Sequence, residues 1–341
     1  MTKTRIGIMG FGRIGRNLFR QLVDHPALEI VAIADVADPE ALTYLLKYDS
    51  IYGRFPKPLT LTDGKLVMDG RSIEFVSAKA PGDVDWSAHD VEIVVQATGA
   101  TSGYRTSEWC RKHLEAGASR VVMASTPEEP GDIPILLHGV NDEVLTADTS
   151  IISLGSNTSN AVAPVLRILD SAFGVERAFM TTVHAFTNKE RLADVPTEGF
   201  RSSRAAGQNI IPSETNSPHI LEQAMPEFTG KISGLALNVP VPDGSTVDLV
   251  VETGKPTTVE EVNNTIREAT EDGFNGIIEY SSDPIVSSDI VGSPASGVFD
   301  SLATMTIADT MVKVIVWFDN GWGYTARVVE TLEKMAKGGA A

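Results

Sequence analysis

The sequence predicts an α/β protein with two domains. In the first 150 residues, short apolar strand-like runs alternate with helical patterns, which is typical of a parallel sheet with crossover helices. After a further helix the chain carries long β-rich runs, which predict a second, α+β domain with a large mixed or largely antiparallel sheet. The 341 residues, 42% of them hydrophobic, are enough to bury the cores of two domains.

The predicted elements follow one another in a regular order. The first half alternates strand-like and helical segments: Ile6–Met9, Ile14–Val23, Ile30–Ala34, Val91–Ala97, Ser107–Ala116 and Val121–Ala124. A helix near Asn160–Ala172 precedes the β-rich runs Ala178–Ala185, Ile232–Val241, Thr246–Thr253 and Lys313–Phe318. Apolar spacing from Tyr324 to Lys337 predicts a closing amphipathic helix. The polar, aperiodic stretch Thr187–Gln208 predicts a long loop.

Charge and cysteine content narrow the function classes. The formal net charge of −17 disfavours nucleic acid and anionic membranes as partners. A single cysteine, Cys110, excludes an internal disulfide and a zinc site made of several thiolates, and we expect no metal. The N-terminus has no apolar leader and no stretch has eighteen consecutive apolar residues, so we expect a cytoplasmic protein.

A glycine-rich motif points to a dinucleotide. Gly10-Phe11-Gly12-Arg13-Ile14-Gly15 follows the first strand and opens a helix, and Asp35 ends the next strand-like run twenty residues after Gly15. The glycines permit a tight turn, approach of a pyrophosphate and close helix packing. An ordinary turn and a solvated Asp35 are the alternative. Since Asp35 can bind ribose hydroxyls and repels a 2′-phosphate, the context predicts a Rossmann-type domain that binds NAD rather than NADP.

Five sequence blocks carry a wider resemblance. They are Gly10–Arg16, Tyr44–Phe55, Thr181–Ala185, Gln208–Pro212 and Trp317–Tyr324. In this order the blocks resemble the phosphorylating glyceraldehyde-3-phosphate dehydrogenases. The resemblance implies an NAD-binding domain over residues 1–155, with a C-terminal helix over 321–341 that packs back on it, and a catalytic domain over 156–320. It also implies a homotetramer with the Thr187–Gln208 loop at a subunit contact.

The resemblance assigns cofactor contacts along the whole chain. The implied NAD-binding residues are Gly10, Gly12, Arg13, Ile14, Gly15, Asp35, Thr98, Gly99, Ser125, Asn320 and Tyr324. Arg13 and Ile14 would lie beside the pyrophosphate, and Asn320 and Tyr324 near the nicotinamide. One departure is Met9, which stands where the family usually has asparagine.

The resemblance breaks at the nucleophile. The family's cysteine lies in a Ser-Cys-Thr-Thr-Asn block at a helix N-terminus, where its thiol is activated. This chain has Asn157 at that position, and a carboxamide is not a nucleophile. Cys110 falls in a predicted helix of the other domain and is expected to be a packing residue. His184 corresponds to the family's general base, although a lone histidine at a strand end is more often structural.

Phosphate recognition departs as well. Asn238 stands where the family has an arginine for the substrate's phosphate, and Thr187 matches a threonine of the same subsite. Ser156, Thr158 and Thr215 match hydroxyls of a second anion subsite. Arg204 is a candidate for the missing charge, or else a subunit-contact or solvated residue. Loss of a guanidinium removes a bidentate partner for phosphate.

The sequence therefore predicts an NAD-dependent oxidoreductase that moves a hydride between the nicotinamide and a small polar carbonyl or alcohol without covalent catalysis. A phosphorylated sugar-like aldehyde is one candidate substrate. His184 is the expected acid/base and Asn157 a donor to the substrate oxygen. Two alternatives remain open. One is an aldehyde dehydrogenase that attacks a gem-diol or uses another nucleophile, and the other is a non-catalytic NAD-binding sensor or partner subunit.

Overall fold

The computed structural model describes residues 3–99, 102–197 and 199–338 and divides the chain into two compact units. The first unit takes the described residues of Met1–Leu136, Asp142–Gly155 and Thr325–Ala341. The second unit takes those of Leu137–Asn141 and Ser156–Tyr324. The short segment Leu137–Asn141 thus groups with the second unit, although it precedes residue 155.

The first unit is built on one mixed, mainly parallel sheet. The strands of the unit are β1 Thr4–Met9, β2 Leu28–Asp35, β3 Tyr48–Asp49, β4 Gly53–Arg54, β5 Thr60–Thr62, β6 Lys65–Met68, β7 Arg71–Ser77, β8 Ile93–Gln96, β9 Arg120–Met123 and β10 Ile151–Ser153, of which β3 and β4 form a separate two-stranded sheet. Its helices are α1 Arg13–Leu22, α2 Pro39–Lys47 and α3 Ser107–Glu115. Among the described residues, the main sheet runs β10-β9-β8-β1-β2-β7-β6-β5; its β5/β6 and β6/β7 pairs are antiparallel and the others are parallel, so β6 runs opposite to the other strands.

The central strands of this sheet bring the motif residues to one edge. Strand β1 pairs in parallel with β2 and β8, and Met9 lies opposite both Ala34 and Gln96. The segments that follow these three strands therefore begin side by side. Since ligands of open parallel sheets bind at the carboxyl ends of the strands, this edge is the one expected to hold a dinucleotide.

The second unit has a seven-stranded mixed sheet among the described residues. Its strands are β11 Val175–Ala185, β12 Ile211–Ser213, β13 Ile232–Val239, β14 Ser245–Thr253, β15 Ile278–Ser281, β16 Gly297–Ile307 and β17 Met311–Phe318, in the order β12-β13-β11-β14-β17-β16-β15. Its helices are α4 Asn157–Phe173, α5 Ser217–Ala224 and α6 Val259–Glu271. The β11/β13 and β15/β16 pairs are parallel and the others antiparallel. Together the two sheets confirm the predicted α/β class.

Several element boundaries differ from the sequence-based ones for identifiable reasons. Helix α4 begins at Asn157 rather than near Asn160, because the Ser156 hydroxyl caps it by accepting from the Ser159 amide. A last helix, α7, covers Trp322–Ala336. Within the described part of the 187–208 loop, regular structure is limited to one bridge between Arg191 and Ala205 and a short 3₁₀ turn at Ala206–Gln208.

Candidate functional site

The turn after β1 has space for a pyrophosphate beside its middle glycine. Gly10 has a φ of +95°, and a Cβ there would lie 2.7 Å from the Ala97 carbonyl group. A Cβ on Gly15 would lie 2.3 Å from the Gly10 oxygen. Only glycine fits either position. In contrast, a Cβ on Gly12 meets nothing within 4 Å, so the space beside this residue is open.

The open space adjoins the N-terminus of α1. Gly12 is the N-cap residue and provides no side-chain cap, while Arg13 and Ile14 are half-buried in the first turn. The first amide groups of a helix have no partners within the helix and attract anions. The uncapped helix end and the empty space beside Gly12 therefore fit a dinucleotide's pyrophosphate.

Asp35 is held in place at the end of β2 by two backbone amides. Its Oδ2 accepts from Phe11 N at 2.6 Å and its Oδ1 from Ala37 N at 2.9 Å. Each oxygen keeps a further acceptor position for a ribose hydroxyl. A cavity of about 300 Å³ opens beside the carboxylate and includes Phe75 and Ser77 in its lining. These residues fit an adenosine.

Three further predicted cofactor residues lie just beyond neighbouring strands. Thr98 and Gly99 follow β8, and the Thr98 hydroxyl lies 3.0 Å from the Ser102 hydroxyl. Gly99 is exposed with a φ of +83°. Ser125 follows β9, is half-buried, and its carbonyl accepts from Ser153 Oγ at 2.8 Å. The first unit thus brings these residues to the same sheet edge as Gly10 and Asp35.

Asn157 occupies the first turn of α4 and is fixed at both ends of its carboxamide. Its Nδ2 donates to the Asn320 carbonyl at 3.0 Å, and its Oδ1 accepts from Thr158 N at 2.8 Å. These partners define the orientation of the amide, since the first can only accept and the second can only donate. The bond to Asn320 uses one of the two Nδ2 hydrogens.

A buried network links Asn157 to the end of β11. The Ala185 amide donates to Ser245 Oγ at 2.9 Å, and this hydroxyl donates to Asn320 Oδ1 at 2.7 Å. The backbone N–H of Asn320 donates to Asp243 Oδ1 at 3.0 Å. Asn320, Ser245 and Asp243 are 7%, 1% and 2% exposed. The network places Asn320 between the predicted donor and the predicted base.

His184 lies at the end of β11, half-buried against Phe318. Its Nδ1 lies 2.6 Å from the Ala185 oxygen, which can only accept, so Nδ1 carries the proton and Nε2 the lone pair. The Asn320 Nδ2 lies 3.3 Å from Nδ1 and 3.4 Å from Nε2 of this ring. Burial lowers the pKa of His184, while the Ala185 carbonyl, Glu190 and Asp243 act in the opposite direction. The neutral ring is therefore favoured, with Nε2 able to exchange a proton.

The hydroxyl groups predicted for the second anion subsite lie close to one another. Ser156 Oγ lies 3.2 Å from Ser217 Oγ at the start of α5, and Thr215 Oγ1 lies 3.1 Å from the same Ser217 oxygen. The N-termini of α4 and α5 thus share a hydroxyl cluster. Thr158 is nearby in sequence but is 4% exposed, and its hydroxyl lies 3.4 Å from Asn157 Oδ1.

The structure adds a residue that the sequence analysis did not single out. Glu190 Oε2 accepts from Thr187 N at 2.8 Å and from Thr187 Oγ1 at 2.9 Å, and Oε1 accepts from Asn238 Nδ2. Glu190 is 9% and Asn238 8% exposed. Two residues expected at a phosphate subsite are thus joined by a carboxylate. The Thr-x-x-Glu spacing of Thr187 and Glu190 is a signal for such reciprocal bonds and could have identified it.

Three other candidates have different surroundings. Tyr324 is 5% exposed, and burial raises the pKa of its phenol. Arg204 is largely exposed and forms an ion pair with Asp194 at 3.2 Å. Cys110 is fully buried in α3, with its Sγ 3.9 Å from Gln96 Oε1, and burial raises the pKa of its thiol to about 12. Such a thiol stays protonated, which supports a packing role.

Two general searches of the structure complete the description of the site. In the stretches that the structure describes, no group of three or more His, Cys, Asp or Glu side chains is placed to hold a metal ion. None of the helices in those stretches is long and apolar enough to cross a membrane.

Comparisons with known proteins cover both units. Residues 4–104 match the model "Glyceraldehyde 3-phosphate dehydrogenase, NAD binding domain", and residues 156–320 match "Glyceraldehyde 3-phosphate dehydrogenase, C-terminal domain". The chain is 43% identical over 327 residues to glyceraldehyde-3-phosphate dehydrogenase 2 of Streptomyces avermitilis, which covers 96% of each chain. It is 41% identical over 335 residues to glyceraldehyde-3-phosphate dehydrogenase 1 of Bacillus subtilis, covering 98% of this chain and 99% of the relative.

Proposed function

The chain belongs to the glyceraldehyde-3-phosphate dehydrogenase family and is an NAD-dependent oxidoreductase. We propose that it moves a hydride between NAD and a small polar carbonyl or alcohol without a cysteine nucleophile. The observation that carries this proposal is Asn157 at the start of α4, connected through Asn320 to His184.

Asn157 stands where the family resemblance places the nucleophile. A carboxamide forms no thiohemiacetal and no acyl-enzyme, so covalent catalysis at this position is excluded by its chemistry. One Nδ2 hydrogen is used by the Asn320 carbonyl, which leaves the other to donate to a substrate oxygen. A donor held by a buried network needs no reorganisation when charge develops on that oxygen.

His184 exchanges the proton. When bound, NAD supplies or accepts the hydride. With Nδ1 donating to the Ala185 carbonyl, Nε2 takes a proton from an alcohol during oxidation and returns it to the alkoxide oxygen during reduction. The lowered pKa of His184 favours the neutral ring, so the base form predominates at neutral pH.

The remaining predicted residues have supporting roles in this proposal. Asp35 selects NAD by binding ribose hydroxyls and repelling a 2′-phosphate, and the uncapped α1 terminus receives the pyrophosphate. The hydroxyl cluster of Ser156, Ser217 and Thr215 offers donors to a polar or anionic group. Arg204, paired with Asp194, lies among exposed loop residues and is better suited to a subunit contact than to the reaction.

NADH consumption with a panel of small carbonyl compounds tests the proposal. We expect turnover with at least one hydroxylated aldehyde or ketone, a loss of about 10²-fold or more in His184→Gln, and a smaller loss in Asn157→Ala. His219→Gln, an exposed change in α5, is the matched control and leaves the rate unchanged. NAD binding without turnover of any compound contradicts the proposal and favours a sensor.

A further inference from the structure

The carboxylate of Glu190 lies beside the strand that carries the proposed base. His184 and Asn238 are paired residues of the parallel strands β11 and β13, so their side chains lie on the same face, about one strand spacing of 4.8 Å apart. Asn238 Nδ2 donates to Glu190, and Thr187 donates to Glu190 from three residues along the loop. Glu190 therefore belongs to the surroundings of His184.

The carboxylate has capacity for one more donor. An ionised carboxylate has about four acceptor positions. Among the described contacts, three are filled: Thr187 occupies two positions on Oε2 and Asn238 occupies one on Oε1. His184 and Thr187, which are close to this carboxylate, are half-buried rather than fully enclosed. A donor from a small substrate can take the remaining position on Oε1.

The same carboxylate opposes an anion. A phosphate placed between Thr187 and Asn238 would lie against the carboxylate of Glu190, a buried residue that is 9% exposed. The neutral amide of Asn238 offers no compensating charge. Lys189 and Arg191 flank Glu190 in the sequence, but both side chains are exposed, where an ion pair contributes little. Charge at this position therefore selects against phosphate.

Resting on the hydride transfer proposed above, we propose that Glu190 determines substrate specificity. It accepts a hydrogen bond from a hydroxyl or ammonium group at the far end of the substrate and excludes a phosphate from the same place. The substrate class is then a small hydroxylated or aminated carbonyl compound rather than a phosphorylated one.

Binding of three matched probes to the NAD-saturated protein tests this assignment. The probes are glycerol, 3-amino-1,2-propanediol and glycerol 3-phosphate, which differ only in one terminal group, and their dissociation constants are measured by ligand-observed NMR. We expect the unaltered protein to bind the amino diol and glycerol at least tenfold more tightly than glycerol 3-phosphate. Tighter binding of the phosphate, or no binding of the amino diol at high millimolar concentration, overturns the proposal.

Variants locate the preference at Glu190. Glu190→Gln keeps an acceptor for Thr187 but removes the charge, so the amino diol should bind roughly tenfold more weakly and glycerol 3-phosphate more tightly. Glu252→Gln removes a carboxylate of β14 that pairs with Arg177 and should change neither value. Equal effects of the two variants contradict the assignment. Since the assay needs no turnover, its failure is distinct from that of the proposed reaction, which the carbonyl panel decides.

Discussion

At the scale of single residues, the second unit is organised around amides rather than around a thiol. Asn157 uses both ends of its carboxamide, while Asn320 accepts from Ser245 through Oδ1 and contacts the base through Nδ2. A side chain held in this way keeps one geometry, which suits hydrogen-bond donation better than nucleophilic attack. The one cysteine, Cys110, is buried in the other unit with a protonated thiol.

The protonation of His184 predicts the pH dependence of the reaction. Burial lowers the pKa of His184 below its ordinary value of 6.5. Alcohol oxidation requires the neutral ring, so its rate should fall only as the pH drops below 6.5, through the lowered pKa. A pH profile of kcat/KM measures this fall. His184→Gln should abolish it, and a decline that is centred above pH 6.5 contradicts the assignment.

Asp35 predicts the cofactor preference. Its carboxylate can bind ribose hydroxyls and repels an added 2′-phosphate, so NAD should bind more tightly than NADP. Calorimetric titration of both cofactors gives the dissociation constant of NADP divided by that of NAD. Asp35→Asn, which removes the charge, should reduce this ratio. Equal or tighter binding of NADP by the unaltered protein removes the assignment.

His113 predicts how the stability of the first unit depends on pH. It is fully buried, accepts from Trp86 Nε1 at 2.9 Å, and burial lowers its pKa to about 4. The unfolded chain binds a proton near pH 6.5 and the folded one near 4, so stability falls as the pH decreases between these values. One such group contributes at most about 1.4 kcal/mol per pH unit. The free energy of unfolding, measured with urea at several pH values, should fall less steeply with decreasing pH in His113→Gln than in the unaltered protein. An equally steep fall contradicts this.

Among the elements, the glycine turn before α1 allows an effect on stability to be distinguished from an effect on NAD binding. Gly12→Ala adds a methyl group that meets no protein atom within 4 Å, whereas Gly15→Ala adds one at 2.3 Å from the Gly10 oxygen. We expect Gly12→Ala to fold with unchanged thermal stability but to bind NAD at least tenfold more weakly. Gly15→Ala should lose both stability and affinity. Wild-type affinity in Gly12→Ala contradicts the placement of the pyrophosphate.

Sequence patterns predicted the elements with strong periodicity and missed those without it. Runs of buried apolar residues located β1, β8, β9 and β11 within a few residues. Strands β5 to β7 were not predicted, because exposed polar residues such as Arg71 and Ser72 at the start of β7 weaken the apolar pattern. For the site, the chain order could suggest Thr187 and Asn238. It could not show that Glu190 joins them, because that depends on the pairing of strands distant in sequence.

For the whole molecule, exposed apolar side chains lead us to predict subunit contacts. Phe179 and Leu235 lie on neighbouring strands of the second sheet and are 66% and 44% exposed, while Phe200 in the loop is 98% exposed. We predict a homotetramer, which is also what the resemblance implies. Light scattering at micromolar concentration measures the mass. Phe179→Asp should lower it and the exposed control Val286→Asp should not, whereas a monomeric unaltered protein contradicts the prediction.

The proposed reaction of this family member is hydride transfer without a cysteine nucleophile. The most direct test is the rate of NADH formation from glyceraldehyde 3-phosphate, NAD and inorganic phosphate. The unaltered protein should show little or no rate, and Asn157→Cys should gain a slow, iodoacetamide-sensitive one with weak substrate binding, since Glu190 and Asn238 remain. Rapid, iodoacetamide-insensitive turnover by the unaltered protein would show that another residue supplies the nucleophile and would contradict the claim.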